Sequence, residues 1–182
     1  MRLFAALEPP AEARALLAAW GTAAAARDRA LRAVPAASLH MTLHFLGERP
    51  EGEAGALRDA LAGMPDTPVA LEGTGTLWLS PRRPHVLTCG LMSPGTALST
   101  LHVALRGALE AAAPGWRADT RPLRPHVTVA RVRARMRPAT DRPPPAPALA
   151  FEASAVILER SVLDPAGARY ETLARFPLRS AA

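Results

Sequence analysis

The sequence contains no lysine, a single cysteine and few aromatic residues. All 22 basic residues are arginine, and Phe, Trp and Tyr together make up 4% of the 182 residues. Without lysine the chain cannot form a P-loop, which places a lysine on the bound phosphates, or the Schiff base of a pyridoxal enzyme. It also cannot carry a nucleotide on a lysine, as the usual ATP-dependent ligases do. The composition therefore excludes these three classes of enzyme.

Cys89 is the one cysteine in the chain. It cannot form an intrachain disulfide, and it cannot supply a zinc site built mainly from thiolates. No sequence signature surrounds it, so we predict that it is a small, buried apolar residue of a strand. A protein without disulfides is typical of the interior of the cell.

The sequence has no long hydrophobic run. The apolar run Leu3–Leu7 is too short for the core of a signal peptide, and no stretch approaches the roughly 20 apolar residues of a membrane span. We therefore expect a soluble cytoplasmic protein that does not contact a membrane. Its length and its 49% of hydrophobic residues suit one domain over residues 1–182. The net charge of +6 permits a nucleic-acid partner without requiring one.

The hydrophobic pattern predicts many strands and three helices. The helices are predicted at Ala11–Arg27, at Glu51–Ala62, and around the stripe Leu98, Leu101, Leu105 and Leu109. The strands are predicted at Leu3–Leu7, Leu39–Phe45, Val69–Leu79, His85–Leu91, Arg124–Arg131, Phe151–Glu159 and Tyr170–Leu178. This order of elements favours an α+β or a mixed α/β domain.

Two segments rich in glycine or proline have structural explanations. Gly73-Thr74-Gly75-Thr76 lies inside a strand-like run, so it predicts a twisted or bulged strand and not a dinucleotide-binding turn. Pro138–Pro147 cannot pair in a sheet and is predicted to be a surface loop.

A tetrapeptide pattern of histidine, apolar residue, threonine and apolar residue occurs twice. The copies are His40-Met41-Thr42-Leu43 and His126-Val127-Thr128-Val129, and each lies in a predicted strand. Because side chains alternate along a strand, the histidine and threonine of each copy are predicted to share one face. The same alternation places Leu39, Met41, Leu43 and Phe45 together on the opposite face of the first strand, and it directs Val127 and Val129 of the second copy into apolar packing.

This pair of motifs suits acid and base catalysis at phosphorus. Histidine titrates near neutral pH, so one imidazole can accept a proton from the nucleophile while the other gives one to the leaving oxygen. A threonine hydroxyl on the same face can donate to a phosphate oxygen on which charge develops. Arg124 and Arg131 flank the second motif, and either guanidinium could bind the phosphate.

The remaining three histidines are weaker candidates. His44 is predicted to share the face of His40, but about 13 Å separates them at roughly 3.3 Å per residue, too far for one zinc ion. We therefore predict that His44 lines or supports the site and contacts the phosphate or RNA. His85 lacks a threonine two residues later, and His102 borders the apolar stripe of a helix, so both are predicted to be structural.

The chain resembles the bacterial and archaeal RNA 2′,3′-cyclic phosphodiesterases, formerly called 2′-5′ RNA ligases, of the two-histidine phosphoesterase superfamily. The resemblance rests on both motifs, on their surroundings Leu39–Glu48 and Arg124–Arg131, and on the segment Gly167–Glu171. It extends from Arg2 to Leu178. One departure is His44, which stands where relatives often carry arginine.

The resemblance implies a bilobal α+β fold in which two antiparallel sheets face each other across a central cleft, with helices on the outside. It implies that His40 is the proton donor and His126 the proton acceptor, while Thr42, Thr128 and Arg131 bind the phosphate. The implied reaction opens a 2′,3′-cyclic phosphate at an RNA end to a 2′-phosphate, without a metal or other cofactor, and we expect a monomer.

Three other functions are open at this point. The same cleft could join tRNA halves through a 2′-5′ bond, or it could bind RNA ends without turnover. A metal-dependent phosphoesterase using His40, His126 and a carboxylate is a third alternative, although the sequence has no cluster of Asp and Glu near the motifs.

Overall fold

The computed structural model describes residues 1–80, 82–140, 143–164 and 167–179, and within these ranges it contains nine strands and three α-helices. The strands are β1 (Arg2–Glu8), β2 (Leu31–Ala33), β3 (Met41–Glu48), β4 (Ala70–Leu79), β5 (Val86–Met92), β6 (His126–Val132), β7 (Ala150–Glu152), β8 (Ala155–Asp164) and β9 (Gly167–Pro177). The helices are α1 (Ala11–Arg27), α2 (Ala54–Ala62) and α3 (Ala97–Ala112).

The strands form two antiparallel sheets that each draw on both halves of the chain. The first sheet has the order β3-β1-β8-β9, and the second has the order β2-β6-β5-β4-β7. The first motif leads into β3 and the second begins β6, so each sheet carries one motif. Strands β3 and β6 contact each other across the boundary between the sheets. The α+β prediction is confirmed.

The helices pack against the sheets through apolar faces. Helix α3 buries the predicted stripe Leu98, Leu101, Leu105 and Leu109 and packs against α2. Helix α2 in turn contacts β8 and β9 of the first sheet, whereas α1 contacts β2 and β6 of the second. Burial of each leucine contributes about 1.5–3 kcal/mol to folding, so the leucine stripe stabilises the position of α3 in the fold. No helix in the described ranges is long and apolar enough to cross a membrane.

The first sheet has a different environment on each face. Leu3, Ala5 and Leu7 of β1 belong to the main core, which extends through both sheets and the helices. Phe4 and Ala6 point the other way and form a small apolar cluster with residues of β8 and with Tyr170 of β9. This second face is the wall of the cleft on which the first motif lies.

The predicted strand Phe151–Glu159 is wrong as a single element. The chain changes sheets at Ala153 and Ser154, where the Ala153 N–H donates to Val69 and the Ser154 N–H donates to Glu8, both at 2.9 Å. Strand β7 therefore pairs with β4, whereas β8 pairs with β1. Strand β2, only three residues long, is absent from the prediction because so short a segment shows no periodicity.

Two local predictions are confirmed. The ladder between β4 and β5 shifts register between Gly73 and Gly75, which is the bulge predicted for the glycine-rich segment, and Gly75 has φ 108°. Cys89 is a fully buried free thiol.

Candidate active site

Strand β3 contains a β-bulge directly after the threonine of the first motif. Thr42 pairs with Ala6 and His44 pairs with Ala5, so Leu43 between them has no partner on β1. Opposed residues of an antiparallel ladder point to the same face. Thr42 therefore lies on the cleft face with Ala6, and His44 lies on the core face with Ala5.

Strand β6 contains a bulge at the equivalent position. Thr128 pairs with Thr88 and Ala130 pairs with Leu87, which leaves Val129 without a partner on β5. Regular alternation would point Arg131 into the core together with Val129. The extra residue reverses the alternation, so Arg131 faces the cleft on the same side as Thr128.

The bulge in β3 makes two predictions wrong. His44 does not share the face of His40, and Phe45 does not share the face of Met41. His44 is only 4% exposed, whereas Phe45 is 50% exposed, because Leu43 shifts the alternation by one residue. Leu39, Met41 and Leu43 are buried, and Val127 and Val129 of the second motif are buried as predicted.

The two motif histidines have the same hydrogen bond. Nδ1 of His40 donates to the Ser38 carbonyl at 2.9 Å, and Nδ1 of His126 donates to the Arg124 carbonyl at 2.6 Å. A carbonyl oxygen only accepts, so Nδ1 carries the hydrogen in both rings. Nε2 of each imidazole is thereby left to exchange protons with a ligand.

His40 is held neutral by its surroundings. Burial is the largest cause and lowers its pKa from 6.5 to about 4, although the hydrogen bond to Ser38 acts in the opposite direction. Coulombic interactions with Arg131 and His126 lower the pKa of His40 further. Residues of the second sheet therefore act on an imidazole beside the first sheet, so the two motifs lie close together.

Tyr170 joins the two sheets beside His40. Its ring packs edge-on against His40, with centroids 5.1 Å apart, and against Phe4 at 5.2 Å. Its hydroxyl accepts a hydrogen bond of 2.9 Å from Nη2 of Arg131. Tyr170 is the one tyrosine of the sequence, and only its place in the resemblance pointed to it. Arg32, which pairs with Arg131 on β2, also lies on the cleft face and was not predicted.

His40 lines a small pocket of about 30 Å³ beside Tyr170. A cavity of about 810 Å³ begins at Thr42 and His126 and extends toward the β4–β5 turn. Thr42, His126 and Phe45 line it, and so does the exposed side chain of Arg124. Arg124 thus acts on the site twice, since its carbonyl also orients His126. In the described part of the chain, no group of three His, Cys, Asp or Glu side chains is placed to hold a metal ion.

The sequence model of the 2′-5′ RNA ligase superfamily matches residues 9–160, which is most of the chain. The chain belongs to the 2′-5′ RNA ligase superfamily. Among curated members, the RNA 2′,3′-cyclic phosphodiesterase of Thermus thermophilus is 34% identical over 98% of this chain and 91% of its own. The RNA 2′,3′-cyclic phosphodiesterase of Escherichia coli is 33% identical over 97% of this chain and 96% of its own.

Solved structures of this superfamily share the fold. A Thermus thermophilus protein aligns over all of both chains with a TM-score of 0.76 and 33% identity. Escherichia coli LigT in complex with 3′-AMP aligns over 98% of both chains with a TM-score of 0.75 and 28% identity.

In this member of the superfamily, His44 forms a pair with His102 beneath the cleft wall. The two rings stack with centroids 4.2 Å apart, and Nε2 of His44 donates to the His102 carbonyl at 2.9 Å. Burial is the largest cause that lowers the pKa of both histidines. His44 also reaches the edge of the 810 Å³ cavity. Its predicted contact with phosphate or RNA stays a prediction.

Proposed function

We propose that this protein hydrolyses 2′,3′-cyclic phosphates at RNA ends to 2′-phosphates. The observation that carries the proposal is the matched pair of imidazoles, each on its own sheet and each anchored through Nδ1, and near enough for His126 to affect the pKa of His40. The names of the Thermus and Escherichia relatives support the substrate class. Complexes of LigT with 3′-AMP and with phosphate are consistent with ligands of this chemistry.

The proposed reaction assigns one proton transfer to each histidine. His126 accepts a proton from water through Nε2 while the water oxygen bonds to phosphorus. The bond between phosphorus and the 3′ oxygen breaks, and Nε2–H of His40 protonates that oxygen. The products are a 2′-phosphate and a free 3′-hydroxyl, and exchange with solvent returns both histidines to their starting state.

The low pKa of His40 sets a condition on this assignment. With a pKa of about 4, His40 is neutral in the empty cleft at neutral pH and cannot donate as an imidazolium. The phosphodiester carries a negative charge, which favours the protonated ring and offsets the repulsion from Arg131. We infer that substrate binding supplies the charge that prepares His40 as the acid.

Three further side chains are proposed to hold the phosphate. The hydroxyls of Thr42 and Thr128 have no hydrogen-bond partner among the described residues, so both are available to phosphate oxygens. Arg131 is fixed by Tyr170 through one nitrogen and keeps its other donors for the ligand. These donors stabilise the charge that develops on the non-bridging oxygens.

The decisive experiment is a reaction of the purified protein with RNA ending in a 2′,3′-cyclic phosphate, in EDTA, with identification of the product isomer. We expect the 2′-phosphate, which requires protonation of the 3′ oxygen. A 3′-phosphate would show that the acid and base roles are reversed or misplaced. Activity lost in EDTA and restored by a divalent ion would support the metal-dependent alternative, and binding without product would support an RNA-end binding protein.

Ligation is the second candidate function, and it is supported by the match to the 2′-5′ RNA ligase superfamily. In ligation, the 5′-hydroxyl of a second RNA, such as the other half of a tRNA, takes the place of water. The same assay with an added 5′-hydroxyl RNA measures the ratio of joined to hydrolysed product. We further propose that residues 1–182 act as one unit, because single curated relatives align with 97–98% of them, and that this unit is cytoplasmic and monomeric. Gel filtration and cell fractionation test this.

A further inference from the structure

Five exposed arginines lie together at one end of the second sheet. Arg82 and Arg83 belong to the turn between β4 and β5, and Arg133, Arg135 and Arg137 follow the end of β6. We call these five residues the arginine surface. They line a cavity of about 760 Å³, separate from the one beside the motifs.

The two turns that carry the arginine surface are held side by side by backbone hydrogen bonds. The Arg83 N–H donates to the Ser80 carbonyl at 2.9 Å within the first turn. The Val132 N–H donates to the His85 carbonyl at 2.8 Å and joins the end of β6 to that turn. Residues 133–136 close a second turn with a bond of 3.1 Å. These bonds hold the two turns that carry the arginines next to each other.

The charge of the arginine surface is not neutralised within the described ranges. No described carboxylate lines its cavity, and none of the five arginines forms an ion pair with a described residue. Other arginines of the chain do have carboxylate partners within 4.0 Å. They are Arg14, Arg49, Arg106, Arg121, Arg160, Arg169, Arg175 and Arg179. Concentrated positive charge of this kind attracts a ligand with several negative charges.

The arginine surface is continuous with the candidate active site. Arg131, which faces the cleft, precedes Arg133 by two residues and pairs with Val86, and Val86 pairs with Leu79. This row of residues is the last of the sheet before the β4–β5 turn. Leu79 and Ser80 also line the 810 Å³ cavity beside the motifs. A ligand can thus extend from the cleft onto the arginine surface without leaving the protein.

We propose that the arginine surface binds the phosphate backbone of the RNA strand whose 3′ end occupies the cleft. The inference rests on the proposed function and extends it, because it makes a polynucleotide, and not a mononucleotide, the preferred substrate. Guanidinium groups bind phosphates through two parallel hydrogen bonds, and such contacts are independent of base sequence. Contiguity with a site for an RNA end favours RNA over an acidic protein.

The test compares two substrates and three double variants. The substrates are 2′,3′-cyclic AMP and an RNA of about ten nucleotides that ends in a 2′,3′-cyclic phosphate, long enough to span both turns. The variants are Arg82→Gln/Arg83→Gln, Arg135→Gln/Arg137→Gln, and the matched control Arg27→Gln/Arg58→Gln. The control removes the same charge from exposed positions outside the arginine surface. Thermal unfolding verifies that each variant is folded.

We expect each surface variant to lower the ratio of kcat/KM on RNA to kcat/KM on cyclic AMP by about tenfold. The control should leave this ratio within about twofold. In binding assays with RNA ending in a 3′-phosphate, the slope of log K against log salt should become shallower by about 1.4, which is about 0.7 per lost contact on a single strand.

Several outcomes overturn the inference. An unchanged ratio in both surface variants would show that the RNA does not reach these turns, and an equal fall in the control would show an effect of net charge alone. Displacement of RNA by polyglutamate as readily as by polyuridylate would indicate a general polyanion surface. If neither substrate reacts with the unaltered protein, the proposed function fails, and the salt slopes still decide whether RNA binds here.

Discussion

Strands β3 and β6 carry the same motif and the same bulge but present different side chains beside the cleft. After the bulge, the residue that faces the core is His44 in the first strand and Ala130 in the second. The next residue, which faces the cleft, is Phe45 in the first strand and Arg131 in the second. The guanidinium of Arg2 lies 4.8 Å from the centre of the Phe45 ring. The same β-bulge therefore turns an apolar side chain toward the cleft in the first sheet and a cation toward it in the second.

This difference teaches that the histidines and threonines are equivalent between the sheets while their surroundings are not. The second sheet supplies the cation for the phosphate. The first sheet supplies the rings of Phe4 and Tyr170, which pack against His40 and keep it neutral. Four predictions test this comparison. They begin with the two histidines, which the sheets share, and end with the environment of His40 alone.

The largest effect is expected at the two histidines. His40→Ala and His126→Ala should each lower kcat/KM on a cyclic phosphate by about a thousandfold, because each removes one proton transfer from the same step. The double variant should be only slightly slower than either single variant, since the two groups act in one transition state. Steady-state kinetics measure this, and a single variant that keeps a tenth of the activity would contradict it.

The next largest effect separates Arg131 from Phe45. Arg131→Gln should lower kcat/KM by about a hundredfold because it removes a charged donor from the developing phosphate charge. Phe45→Leu, at the equivalent position of β3, should cost less than about tenfold because it alters only an apolar wall. Tyr170→Phe removes the hydroxyl that holds Arg131, and its loss of kcat/KM should lie between those of Arg131→Gln and Phe45→Leu. Equal losses for Arg131→Gln and Phe45→Leu would show that the two positions act alike.

A third prediction concerns the bulge in β6. A side chain at Gly21 of α1 would overlap the carbonyl oxygen of Val129, the bulged residue, so α1 packs there backbone against backbone. Gly21→Ala should therefore destabilise the protein by about 1–3 kcal/mol, although alanine normally favours a helix.

Gly107→Ala in α3 is the matched control for this change. An added side-chain carbon there meets nothing within 4 Å, so the substitution should stabilise the protein by about 0.5–1 kcal/mol. Denaturant unfolding measures both variants. A stabilised Gly21→Ala protein would mean that α1 does not hold the bulge in β6.

The most local effect is the pH dependence of stability at His40. Its pKa is lowered from 6.5 to about 4 on folding, so the unfolded chain binds more protons between these values. The stabilisation is present above pH 6.5 and is lost as the pH falls toward 4. His40→Gln should remove up to about 3 kcal/mol of this pH dependence. If the free energy of unfolding depended on pH as steeply in His40→Gln as in the unaltered protein, His40 would not be held neutral.

The local hydrophobic pattern was sufficient to predict most helices and strands and to identify the motif residues. The leucine stripe of α3 and the alternation in β1 are properties of neighbouring residues, so the sequence reveals them directly. The break between β7 and β8 was not predicted, because the strand pattern continues through Ala153 while its pairing partner changes from β4 to β1. A partner strand distant in sequence leaves no mark on local periodicity.

The sequence by itself determined that two His-x-Thr segments would each lie at a strand, since that follows from residue types and their spacing. Only the tertiary structure decided which neighbours face the cleft. Leu43 and Val129 become bulges because β1 and β5 pair around them, and that pairing turns His44 inward and Arg131 outward. The bond from Arg131 to Tyr170 joins residues 39 positions apart, and burial sets the proton affinity of His40. Both depend on which distant segments the folded sheets bring into contact.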